Sequence, residues 1–123
     1  MYSPRPQRDI KERTFAFALR IVRLCRLLEK KSSVARTLAT QLLRAGTSIG
    51  ANVEEGRAAQ SRADFVHKNA IALKETRETC YWLRLVQESG IVNPKLLTDI
   101  IIEAEELAKI LGAITCRARR GDS

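Results

Sequence analysis

Residues with the chemistry for catalysis are few in this chain. His67 is the only histidine among 123 residues, so a serine–histidine–aspartate or cysteine–histidine arrangement would have to include it. Helical periodicity puts His67 off the predicted core face, on a mixed polar side with Lys74 and Glu78. A ferritin-like di-iron site is excluded, because it requires two Glu-x-x-His units within a bundle. We therefore do not expect catalysis at His67.

Glu75 and Glu78 form the second candidate for chemistry. Carboxylates at this spacing lie on one side of a helix, where a pair could do acid–base work. We favour a structural alternative, in which the two glutamates, alongside Arg77 and Trp82, make ion pairs or hydrogen bonds at a subunit interface. The plainer interpretation gives them no catalytic role.

The three cysteines predict neither a metal site nor a disulfide framework. Cys25, Cys80 and Cys116 are far apart and form no CxxC pair, whereas zinc ligands usually come in closely spaced pairs. We expect all three to be small buried hydrophobic residues. With no strand to carry a glycine-rich phosphate loop either, the sequence predicts a protein that is not an enzyme and uses no cofactor or metal.

The net charge of +8 is unevenly distributed along the chain. Residues 1–50 contain 11 Lys and Arg against 3 Asp and Glu, whereas residues 51–123 contain 11 of each. All of the excess positive charge therefore belongs to the first half, which suggests a polyanionic partner.

Much of this charge follows helical spacing on the first predicted helix. Arg20, Arg23, Arg26 and Lys30 recur opposite its apolar face, so we predict contacts to the phosphates of RNA or DNA with little sequence preference. Two alternatives stay open. The basic face is only solvated, or the protein is an adaptor that docks a protein partner through apolar surface such as Phe15 and Val22.

Four amphipathic helices are needed to position these residues. Apolar residues recur every three to four positions, and no strand-like alternation competes. Because the connections are short, we predict an all-α, antiparallel up-and-down four-helix bundle. The predicted parts are a flexible N-terminal tail at 1–8, the bundle at 9–117 and a C-terminal tail at 118–123. The first predicted helix begins at an Asp9 cap and ends near Lys31, and the second begins at a Ser33 cap and ends near Gly56. The third begins at Ser61 and ends at Gly90, and the fourth begins at Asn93-Pro94 and ends near Arg117.

The apolar faces predict how the helices pack. The second helix has a predicted buried stripe of Val34, Leu38, Leu42, Ala45, Ile49 and Val53. Its glycines Gly46 and Gly50 suggest a close approach to another helix. The third helix has a second apolar face with Ile71, Trp82 and Leu85, which predicts self-association. No apolar run approaches the roughly 20 residues of a membrane span, and the first ten residues do not form a secretory signal. We therefore expect a cytoplasmic protein without membrane contact.

One segment makes the sequence recognisable. Residues 48–56 read SIGANVEEG, which resembles the Ser-Ile-x-x-Asn-Ile/Val-x-Glu-Gly signature of the 23S ribosomal RNA intervening-sequence protein family. The resemblance continues through Ser61, Phe65, Ala70, Glu75, Glu78 and the run at 81–85. It implies a four-helix protomer, a ring-shaped homopentamer and no established enzymatic activity. Similar bundles include the accessory variability protein of diversity-generating retroelements, a basic pentamer that binds nucleic acid and a reverse transcriptase.

The signature also has a physical interpretation. Asn52 lies at the edge of the buried stripe, and a buried network of Arg44, Asn52 and Glu55 would fix helix register or hold two subunits together. The rival hypothesis is a ligand-binding or RNA-contacting site. The complete set assigned to the signature or an interface is Arg44, Ser48, Asn52, Glu55, Gly56, Glu75, Glu78 and Trp82.

Overall fold

Four α-helices and short turns make up residues 8–121, the part of the chain that the computed structural model describes. The helices are α1 (Arg8–Glu29), α2 (Ser33–Arg57), α3 (Arg62–Ser89) and α4 (Lys95–Arg120). No strand occurs within these residues. Each helix packs against its neighbours in the chain, and α4 also returns to α1. The predicted all-α fold with four helices is confirmed.

Short-range signals set most helix ends. Ser61 precedes α3 and accepts a hydrogen bond from the backbone N–H of Asp64 at 3.1 Å. Gly90 ends α3 with a φ of 78°, a left-handed conformation that favours glycine. Asn93 Oδ1 accepts a hydrogen bond from the N–H of Lys95, the first residue of α4, at 3.0 Å.

Other helix ends differ from the prediction by one to three residues. Ser32, not Ser33, caps α2, because its side chain accepts the N–H of Ala35 at 3.1 Å. The fourth helix continues past residue 117 to Arg120 and ends at Gly121, with a φ of 83°. The predicted N-terminal tail lies outside the described residues except for Arg8, which begins α1.

Close contact between α1 and α2 depends on the glycines of α2. A Cβ added at Gly46 would lie 2.8 Å from Ile21 Cγ1, and one at Gly50 would lie 3.3 Å from the backbone oxygen of Thr14. The predicted close approach is therefore present, between α1 and α2.

The buried stripe of α2 is only partly as predicted. Leu42, Ala45, Ile49 and Val53 are buried, but Val34 is 62% exposed, and Ala35 and Ala39 take the core positions at this end. Small residues rather than large apolar ones therefore occupy the core positions at this end of α2.

The cysteines differ in their surroundings. Cys25 is buried and its thiol donates to the backbone oxygen of Ala39 at 3.4 Å. Burial, with the negative charge of Glu29 as a lesser cause, raises the pKa of Cys25 to about 11. Cys80 is half-buried and Cys116 is exposed. The expectation that all three are buried is wrong for Cys116, which lies on the outer side of α4.

The second apolar face of α3 remains largely uncovered within one protomer. Tyr81 is 55% exposed and Leu85 is 38% exposed, whereas Ile71 and Trp82 are half-buried. In residues 8–121, the apolar stretches of the helices all fall short of what a membrane crossing requires.

Candidate functional site

Three arginines of α1 and Lys30, the first residue after this helix, lie on the solvent side of the bundle. Arg23, Arg26 and Lys30 are exposed and Arg20 is half-buried. The stretch from residue 20 to residue 30 extends about 15 Å along the helix axis at 1.5 Å per residue. We call these four residues the α1 basic face.

The described cations differ in whether they pair with a carboxylate. Arg13 pairs with Glu103 at 2.8 Å, and Lys68 pairs with Glu55 at 2.8 Å. Among the described side chains, no Asp or Glu forms an ion pair with any of the four α1 cations. Their guanidinium and ammonium donors therefore remain available to an external anion.

A second polar cluster joins α2 to α3. Arg44 Nη1 lies 3.3 Å from Glu75 Oε1, and Arg44 Nη2 pairs with Glu78. Trp82 Nε1 donates to Glu78 Oε2 at 2.9 Å from the next turn of α3. The ring of exposed Tyr81 meets Trp82 edge to face, with centroids 5.1 Å apart. The contacts that we expected at a subunit interface are thus made inside one protomer.

The ionisation of Glu78 reflects these contacts. The hydrogen bond from Trp82 and then the positive charge of Arg44 lower the pKa of Glu78, outweighing the partial burial that would raise it. A carboxylate of lowered pKa that is already held by two donors is poorly suited to act as a general acid near neutral pH. Arg77 is exposed and takes no part in the cluster.

The predicted network of Arg44, Asn52 and Glu55 does not form. Arg44 and Glu55 are about 16 Å apart along α2, since eleven residues separate them at 1.5 Å each, and both are exposed. Glu55 instead accepts from Lys68 Nζ of α3. Asn52 is half-buried, and its Nδ2 donates to the backbone oxygen of Ser48, one turn earlier, at 2.9 Å.

Other signature residues have separate roles in the packing of α2 on α3. A Cβ at buried Gly56 would lie 3.0 Å from Asn69 Nδ2 and 3.3 Å from Lys68 Cβ, so glycine permits the helices to meet here. Ser48 and Asn52 are half-buried on the α2 surface, and Asn52 Oδ1 accepts no hydrogen bond from the described residues. Ser48 and Asn52 lie on the same side of α2, one turn apart.

The structure also places the residues that were considered for catalysis and metal binding. His67 is exposed on α3. Within the described ranges, no group of three or more His, Cys, Asp and Glu is arranged to hold a metal ion.

Comparison with known proteins places the chain in a family. Residues 7–113 match the family model described as 23S rRNA-intervening sequence protein. The chain belongs to this family. Among solved structures, a protein of unknown function from the S23 ribosomal protein family of Bacteroides thetaiotaomicron is similar to it, with 42% sequence identity and a TM-score of 0.79. The similarity covers 86% of this chain and 97% of that one. No curated protein matches.

One feature of this 23S rRNA-intervening sequence protein could not be found from its sequence. A cleft opens between α1 and α4, where Arg20 and Arg23 meet Leu96 and Ile100. The two walls come from helices that are far apart in the sequence, so no local pattern predicts the cleft. Of the features of this cleft, the sequence shows only the helical spacing of Arg20 and Arg23.

Proposed function

We propose that this 23S rRNA-intervening sequence protein is a non-enzymatic, cytoplasmic homo-oligomer that binds the backbone of RNA or DNA through the α1 basic face. The observation that supports the proposal is the line of four cations that form no ion pair with a carboxylate of the described residues. Arg13, Arg44 and Lys68 are held by glutamates of another helix. The α1 basic face keeps its donors for an external polyanion.

The physical chemistry of the phosphate backbone suits this face. Guanidinium forks bind phosphate oxygens in a bidentate manner, and each neutralised phosphate releases condensed counterions. Binding of this kind is strong at low salt, falls steeply as salt rises and distinguishes poorly among sequences. A basic face about 15 Å long can contact several consecutive phosphates of one strand.

Self-association would strengthen such binding. The uncovered apolar face of α3, with Tyr81 and Leu85 exposed, supports contact with a second copy. The family resemblance implies a ring of five. Several α1 basic faces in one particle would add their fields and engage one polymer at several points.

The test is binding of nuclease-treated protein to labelled RNA and duplex DNA, measured by fluorescence anisotropy across a salt series. The site variant changes Arg20, Arg23, Arg26 and Lys30 to Gln. The control variant changes four exposed cations of the charge-balanced half to Gln, namely Arg77, Arg84, Lys95 and Lys109. Both variants lose the same net charge.

We expect the site variant to weaken binding more than tenfold at low salt, with a slope of log K against log salt that falls by up to about 0.9 per lost phosphate contact. The control variant should change the slope much less. Equal losses in the two variants would mean that net charge, not the α1 basic face, governs binding. Failure of the wild type to bind either polymer near physiological salt would overturn the proposal.

A protein-docking adaptor is the second candidate. Phe15 is 59% exposed and Leu19 is 42% exposed on neighbouring turns of α1, with half-buried Val22 beside them. Large apolar side chains grouped in this way favour an interface. If this function is correct, Phe15→Ser abolishes capture of the partner while the site variant captures it normally.

A further inference from the structure

The cleft between α1 and α4 combines an apolar floor with two cations of the α1 basic face. Its volume is about 280 Å³. Ile100 is buried and Leu24 half-buried, whereas Leu27 and Leu96 are 38% and 57% exposed at its rim. The lining residues are Arg20, Arg23, Leu24, Leu27, Leu96 and Ile100.

Such a lining suits a group that is apolar in one part and anionic in the next. The leucine and isoleucine side chains offer van der Waals and hydrophobic contact, and the arginines offer charge-assisted hydrogen bonds at the edge. The volume lies below the roughly 300–1,000 Å³ typical of sites for larger ligands. The cleft therefore has room for one small flat or branched group, not for a helix or a large cofactor.

We propose that the cleft receives an unpaired base of a nucleic-acid strand, while the adjoining phosphates contact Arg20 and Arg23. The inference rests on the proposed function and specifies its substrate class, which is single-stranded nucleic acid. A base in a duplex is stacked and paired, so inserting it first requires that it be extruded. An unpaired base avoids most of that cost. Arginine planes and apolar side chains accept any base, so little sequence preference follows.

Charge outside the cleft favours a polymer over an acidic peptide. Arg26 and Lys30 continue the cationic line beyond the cleft. A single carboxylate bound at Arg20 and Arg23 would make no contact with these two cations. A strand with a charge at every nucleotide uses all four. On the α4 side, Glu103 is held by Arg13 and so opposes a phosphate only weakly.

The experiment compares a 12-nucleotide U-rich single strand with a 12-base-pair RNA duplex by anisotropy, across the same salt series for every variant. The cleft variant changes Leu27 and Leu96 to Ser. The control variant changes Leu43 and Ile102 to Ser; these side chains are 38% and 58% exposed, like Leu27 and Leu96, and do not line the cleft. Circular dichroism and thermal melting check that each variant is folded.

We expect the wild type to bind the single strand more tightly than the duplex. The cleft variant should lose about fivefold or more in affinity for the single strand, with unchanged duplex affinity and unchanged salt slope. The control variant should bind both as the wild type does. A 2-aminopurine base within the strand gives a second readout. Its emission should rise when the base leaves its stacked neighbours, because the cleft lining contributed by the described residues contains no aromatic side chain to quench it.

The outcomes separate this inference from the proposed function. Equal wild-type affinity for strand and duplex, or unchanged single-strand binding by a folded cleft variant, would overturn the cleft proposal and leave binding by the α1 basic face intact. Displacement of the strand by an acidic, leucine-containing peptide without a 2-aminopurine signal would assign the cleft to a protein and also overturn it. If the variant lacking the four α1 cations binds both polymers normally, the proposed function fails as well.

Discussion

Two donors from different helices converge on one carboxylate at Glu78. Trp82 reaches it from the next turn of α3, and Arg44 reaches it from α2. Both stabilise the ionised form, which lowers the pKa of Glu78. Since the cluster is partly open to water, its charges are screened, and the contribution to stability is small. Its role is to fix how α2 and α3 align.

The change Glu78→Gln tests this contact through its pH dependence. Glutamine keeps an oxygen that can accept from Trp82 but has no charge. The folded-state pKa of Glu78 lies below the ordinary value of 4.5, so its stabilisation is fully present above that value and is lost as pH falls through the folded-state pKa. We expect the variant to lose less than about 1 kcal/mol at pH 7, and this deficit to shrink progressively as pH falls below 4.5, by urea unfolding.

The control for this experiment is Glu106→Gln, which removes an exposed glutamate of α4 that forms no ion pair in the described part of the chain. Its stability difference from the wild type should vary little between pH 7 and pH 3. A Glu78→Gln deficit that persists unchanged at pH 3 would show that shape, not charge, explains the loss.

The sequence identified the residues of this cluster but not their partners. The sequence predicts an interface role for Arg44, Glu75, Glu78 and Trp82, but it predicts Glu55, on the same helix, as the partner of Arg44. Spacing within one helix can be read from the sequence. Which carboxylate of α3 lies opposite Arg44 depends on the relative rotation and shift of two packed helices, which no local pattern specifies.

The four helices differ in how closely they approach one another. Gly46 and Gly50 bring α1 close to α2, whereas α1 and α4 have the loosest contact of the neighbouring pairs. The cleft with Arg20 and Arg23 opens on that looser side. The tight seam and the open cleft thus lie on opposite flanks of one helix.

A pair of glycine substitutions tests the tight seam. In Gly46→Ala, the new Cβ would lie 2.8 and 2.9 Å from the two γ carbons of fully buried Ile21. The branched side chain of Ile21 cannot turn away, so the helix must shift. Although alanine favours helix by about 1 kcal/mol, overpacking costs about 1–3 kcal/mol. We expect a net loss of stability in urea unfolding.

The matched variant is Gly112→Ala in α4. A Cβ there meets nothing within 4 Å, so only helix propensity acts and stability should rise by up to about 1 kcal/mol. Opposite signs for the two variants are the expected result. A stabilising Gly46→Ala would mean that α1 and α2 are farther apart in solution.

Helix ends and helix faces were predictable to different degrees. The Ser61 and Asn93 caps and the Gly90 stop act within a few residues, so the sequence specifies them. The face of α2 does not follow from hydrophobicity alone. Val34 is more apolar than Ala35, but Ala35 is the buried residue, because the way α2 is turned in the assembled bundle decides which side faces the core.

The excess positive charge of the molecule belongs to the first half of the chain. The net charge of +8 equals the excess of residues 1–50, and four of these cations form the α1 basic face. Like charges three or four residues apart on a helix repel one another by a few tenths of a kcal/mol per pair at low salt. The unliganded protein therefore bears a small cost in stability for a surface that a polyanion would neutralise.

Thermal melting across a salt series measures this cost. Changing Arg20, Arg23, Arg26 and Lys30 to Gln preserves helix propensity closely, so the effect of the change is mainly electrostatic. At about 20 mM salt we expect the variant to be more stable than the wild type by about 1 kcal/mol, or about 2–6 °C in Tm. The difference in Tm should close toward 0.5 M salt, where repulsion is screened.

The control is the variant of Arg77, Arg84, Lys95 and Lys109, which loses equal charge from the charge-balanced half and should gain less stability. If removing the α1 cations instead lowers Tm at low salt, those cations make stabilising contacts within the protein. They would then be structural residues rather than a face held open for a polyanion.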